Sequence, residues 1–133
     1  MWILRLIQVI TLFVLVKDLQ CQTEKEFEQM LCRAWKLQLY QRDGQIIMPA
    51  EDQKEDRMIF YSNRTLSSVE SGIEQDGFWQ FDEEYHTLTV GESGTLQFLQ
   101  FNVIEISNQR LVLEFANQDG PALSMTMVPA EKD

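Results

Sequence analysis

The sequence predicts a mostly β protein: about eight antiparallel strands wound as an up-and-down barrel behind a short N-terminal helix. Three observations lead there. Apolar residues from Trp35 onward alternate with polar ones at period 2, the repeat of a half-buried strand. Clusters of Gly, Asn and Asp interrupt that alternation at short intervals, as turns do. No stretch between them is long enough for a crossover helix, so neighbouring strands must run antiparallel. Closing such a meander removes both of its open edges. A two-sheet sandwich with the same strand count is the structural alternative.

Residues 1–22 stand apart. Met1 to Arg5 makes a short positive start, and Leu6 to Val16 is an apolar run of 11 residues ended by Lys17 and Asp18. A spanning helix needs about 20 apolar residues. This run is too short, and its position and flanks are those of a secretory signal. The chain therefore divides into a signal peptide, 1–22, and one folded domain, 23–133. Cys21 offers a second processing route, lipidation, which would give membrane attachment only through that anchor. The expected location is outside the cytoplasm: periplasmic, anchored to an outer membrane, or secreted.

Within the domain, Phe27, Met30 and Leu31 fall at i, i+3, i+4 and place a short helix between Thr23 and Arg33. Trp35, Leu37 and Leu39 begin the first strand, and Arg42-Asp43-Gly44-Gln45 turns it into Ile46-Ile47-Met48. Pro49 stops that piece, and Ala50 to Asp56 is a charged loop. Arg57 to Ser62 alternates Met58 and Phe60 against Ile59 and Tyr61. Asn63-Arg64 turns into the polar strand Thr65 to Ser71, and Gly72 to Gly77 reads as a loop. Phe78 to Phe81 is an aromatic strand, Asp82-Glu83-Glu84 a turn, and His86 to Val90 a strand broken by Gly91 to Gly94. In Thr95 to Ile106 the apolar phase slips near Leu99-Gln100, which predicts a β-bulge there. Arg110 to Phe115 and Ala122 to Val128 complete the set, joined by Asn117 to Gly120 and ended by Pro129.

Composition narrows the function. The 133 residues carry 11 Lys and Arg against 21 Asp and Glu, a formal charge of −10. That excess excludes phosphate-backbone recognition, so no nucleic-acid partner is expected. His86 is the only imidazole, and beside Asp82, Glu83 and Glu84 it reads as part of a solvated hairpin tip. Neither a catalytic set nor a metal site is expected. Cys32, between Leu31 and Arg33, reads as core, and it could pair with Cys21 only if Cys21 survives processing. Asn63-Arg64-Thr65 matches a glycosylation acceptor that matters only in a eukaryotic secretory pathway.

The order of these features resembles the lipocalin-like domains of exported bacterial proteins and lipoproteins. The residues that carry the resemblance are Leu31, Arg33, Trp35 and Leu37 in the first-strand motif, then Met58-Ile59-Phe60. They are followed by Gly77-Phe78-Trp79, Thr87 to Val90, and the hairpin Asn102 to Ile106 with Leu111 to Leu113. Arg33 departs from the Gly of that motif. The last strand has no Arg to stack on Trp35, and Arg110 is the candidate substitute. The resemblance implies a non-enzymatic binding protein with a small apolar ligand in its interior and no cofactor. The interior candidates are Trp35, Leu37, Phe60, Trp79, Leu88, Phe101, Leu113 and Met125. A barrel of this size can instead be filled by its own side chains. Burial of each large apolar side chain contributes about 1.5–3 kcal/mol, so folding alone would account for these residues. The alternative function is then a filled module contacting a protein or glycan of the cell envelope. The sequence makes no prediction of oligomeric state.

Overall fold

The computed structural model describes residues 23–116 and 120–130. The expected signal peptide, Cys21 included, and most of the Asn117–Gly120 turn lie outside the described residues. Helix α1 (Glu24–Leu31) starts at Thr23, whose Oγ1 accepts a hydrogen bond from the Glu26 amide at 3.1 Å. Glu24 and Glu26 place negative charge at the positive end of the helix dipole. The apolar stripe is fully buried through Phe27 and Leu31.

Among the described residues nine strands follow: β1 (Ala34–Arg42), β2 (Gln45–Ile47), β3 (Arg57–Phe60), β4 (Thr65–Glu70) and β5 (Ile73–Asp82), then β6 (Thr87–Glu92), β7 (Phe98–Ile106), β8 (Leu111–Phe115) and β9 (Leu123–Pro129). Every pairing is antiparallel. Strand β1 pairs with β3, each later strand pairs with the next, and β9 returns to β1, from Trp35 opposite Pro129 to Arg42 opposite Leu123. The protein is thus a closed eight-stranded up-and-down barrel, and the sandwich alternative is set aside. Strand β2 is a ninth, short ribbon outside the closed ring. It folds back on β1 through Asp43 and Gly44, whose φ values of 51° and 73° suit a two-residue hairpin turn.

Four local expectations are corrected. Gly72 to Gly77 is not a loop: Ser71 and Gly72, at φ 50° and 82°, form a two-residue turn, and β5 runs from Ile73. The polar residues Glu74 to Asp76 hid that strand: all three are exposed, and Gln75 borders open space rather than core. Gly91 and Glu92 likewise continue β6. The Phe78 ring lies so close over Gly91 that a Cβ there would fall 2.0 Å from Phe78 Cζ. An aromatic ring covers the strand position that a side chain would otherwise occupy. The irregularity in β7 lies between Val103 and Glu105, not at Leu99-Gln100, since Phe98 to Asn102 pairs in regular register with β6. A further bulge between Leu37 and Leu39 on β1 brings Tyr40 rather than Leu39 against the core.

Candidate ligand cavity

One end of the barrel is built solid. Phe27 of α1 stacks flat on Phe81, ring centroids 3.8 Å apart. The Trp35 indole N–H donates to the Leu31 carbonyl at 2.9 Å, and the Trp79 indole N–H donates to the Tyr61 carbonyl at 2.9 Å. Both buried indoles therefore have their polar atom satisfied. Each also carries a guanidinium: Arg33 lies 5.3 Å from the Trp35 ring centroid and Arg64 lies 4.3 Å from that of Trp79. The departure from the family motif at Arg33 thus supplies the contact for which Arg110 was the candidate. Arg110 instead pairs with Glu105. Arg64 also bonds Glu24 at 2.6 Å and reaches Glu28 at 3.5 Å, tying the helix across the barrel end.

The other end opens. Above the plug lies a cavity of about 800 Å³, within the range of small-molecule sites, about 300–1,000 Å³. Leu99, Phe101, Phe115 and Met125, from β7, β8 and β9, give it one apolar flank. Tyr40, Ser68, Glu70 and Gln75, from β1, β4 and β5, make a polar flank opposite. The charged loop after β2 forms part of the rim. Its Asp56 carboxylate accepts from the Ser71 amide at 2.8 Å, and Asp52 accepts from the Ser71 hydroxyl at 3.1 Å, so loop and β4–β5 turn are stitched together.

Three of the interior candidates, Leu37, Phe101 and Met125, line this space. All eight belong to one buried core; Trp35, Phe60, Trp79, Leu88 and Leu113 lie in the solid half, away from the space. Strand periodicity names the face on which a side chain stands, not its height along the barrel axis, and height separates these two groups. Tyr40, Met58, Leu66, Ser68 and Val90 line the cavity and were not among the candidates. The Tyr40 signal was masked by the bulge before it; Ser68 gave no hydrophobic signal at all.

His86 Nδ1 donates to the Val103 carbonyl at 3.0 Å, and its ring stands edge-on to Phe81 with centroids 5.4 Å apart. It packs behind the plug, remote from the cavity lining. Half-buried Cys32 packs on the core, where burial first and the Glu28 charge second raise its thiol pKa; Arg64 opposes both. Such a thiol is a poor nucleophile. Among the described residues no three His, Cys, Asp or Glu side chains gather as a metal site. None of the described helices is long and apolar enough to cross a membrane. No protein-family model matches the chain, and no curated protein matches it.

Proposed function

We propose that this chain is an exported, non-enzymatic barrel of the lipocalin-like kind that holds one small apolar molecule in its open half. The observation that carries the reading is the cavity of about 800 Å³ with Leu37, Leu66, Phe101 and Met125 on its lining. Interiors are otherwise packed to crystal-like density, so apolar walls left facing space forgo dispersion contacts that a ligand restores. Export rests on residues 1–22 and their resemblance to a secretory signal.

A second reading has its own support. Leu96 and Phe98 are exposed at the mouth, as are Ile46 and Ile47 on the β2 ribbon and Met48 just past it. Exposed apolar groups of this kind suit a module that contacts an envelope protein or glycan.

Thermal unfolding against uncharged apolar molecules, decanol among them, separates the two. A ligand at a hundred times its Kd stabilises the native state by about 2.7 kcal/mol. The expected result is a rise in Tm that is reduced in Met125→Trp, whose larger ring takes up part of the apolar flank. An unmoved Tm across the panel transfers the function to the interaction module. Native mass spectrometry of protein from its own host reads the mature N-terminus, any lipid on Cys21 and any retained molecule.

A further inference from the structure

The cavity has two unlike flanks and a charged mouth, and this asymmetry specifies the kind of molecule that fits. The residues around it include four acids, Asp56, Glu70, Asp76 and Glu92, against one base, Arg57; Asp76, opposite Ser67, stands on the outer face of β5 and leaves three on the cavity side. Arg57 lies 3.7 Å from Glu55, so part of its charge is already answered outside the lining. We propose that the open half selects amphiphiles with a cationic head, an ammonium group on an apolar body. The body lies against Leu99, Phe101, Phe115 and Met125, and the head points to the side of Asp56 and Glu70.

This inference rests on the binding reading above and adds the head-group chemistry. The carboxylates do not make the site; the apolar-sided cavity does, and they decide which head can enter it. A fatty-acid carboxylate at that mouth would meet like charges in a partly desolvated space, where repulsion is stronger than in bulk water. An ammonium there meets attraction and keeps part of its hydration at the opening. Tyr40 reports the same field. Burial first, then the charges of Asp56 and Glu70, push its phenol above the ordinary value.

The test uses three probes with one hydrocarbon chain, each below its micellar concentration: decanol, decylammonium and decanoate. Affinities are measured by calorimetry or tryptophan fluorescence at low and at high salt. At low salt the expected order is decylammonium about fivefold tighter than decanol, with decanoate about fivefold weaker again, as several partly exposed charge contacts would give. High salt should compress the series. The Asp56→Asn/Glu70→Gln variant keeps an oxygen at position 56 for the Ser71 amide, and it should bring amine and alcohol within about twofold. Its affinity for decanol should be unchanged, which shows that the barrel is intact. Because the whole chain is acidic, Glu26→Gln/Glu84→Gln at the opposite end serves as the control and should leave the amine preference in place.

Equal affinities for all three probes, or a preference for decanoate, overturn the head-group proposal and leave the cavity reading standing. An amine preference that survives the mouth variant but falls in the control variant overturns it too, since net charge alone would then be responsible. If decanol and the two ions all fail to bind, both readings fall.

Discussion

The two halves of this barrel share the same eight strands and differ in what their inward side chains meet. In the solid half, apolar groups meet one another and both indole N–H groups are hydrogen-bonded. Trp35 has Arg33 and the Leu31 carbonyl, Trp79 has Arg64 and the Tyr61 carbonyl, and Phe27 has Phe81. In the open half, Leu37, Leu66, Phe101 and Met125 border space, and the strands carry Ser68, Glu70 and Gln75 at positions that would be core lower down. Strand alternation sets inside against outside; position along the barrel axis sets filled core against open space. The short helix makes the difference, since it closes one end and leaves the other.

The largest consequence concerns truncation. Leu113 is fully buried in the solid half, so Leu113→Ala should cost about 3–4 kcal/mol, the range for a core site that cannot collapse around the loss. Met125 is also buried but borders the cavity, so Met125→Ala should cost about 2 kcal/mol, the low end for such truncations, because fewer packed neighbours lose contact. Urea unfolding of the two variants measures both. Equal costs would mean that the halves are packed alike and that the cavity collapses.

A smaller effect isolates the clamp on the plug. Arg64→Gln removes the ion pairs to Glu24 and Glu28 and the contact over Trp79. These groups are partly exposed, so the expected loss is about 1 kcal/mol. Amide exchange should quicken in helix α1 while the decanol affinity of the open half stays the same. A drop in that affinity would show that the two ends are coupled, which sharpens the comparison in the opposite direction.

The closed meander was legible because alternation and turn chemistry are local. Asp43-Gly44 names its hairpin, and Leu111, Leu113 and Phe115 mark one face without help from the rest of the chain. What was not legible depended on other strands. The polar start of β5 reads as loop until its partners in β4 are known. The bulge at Ile104 is set by β8, and the inward turn of Tyr40 by the bulge against β9. The mouth is hardest of all, since its carboxylates lie far apart in sequence and converge only when the ring closes. Arg33 shows the same limit: it reads as a departure from a motif, while in space it caps Trp35.

The smallest effect belongs to the hairpin between β7 and β8, outside the ring of core contacts. Arg110 grips Glu105 with two bonds, Nε to Oε2 at 2.5 Å and Nη2 to Oε1 at 3.1 Å. The hydrogen bond from Arg110 holds the Glu105 carboxyl below its ordinary pKa. The unfolded chain therefore binds the proton first as pH falls. The pair's contribution is fully present above the ordinary carboxylate pKa and is lost as pH falls through the lowered folded value. Carboxyl NMR should find Glu105 titrating below the exposed glutamates, and Arg110→Gln should return it to their range. Because both groups face water, the same substitution should barely move the unfolding midpoint at neutral pH. Nor should it alter tryptophan fluorescence, whereas Arg33→Gln should shift the emission of Trp35. A shift on Arg110→Gln instead would put Arg110 back over that indole and make the hairpin part of the plug.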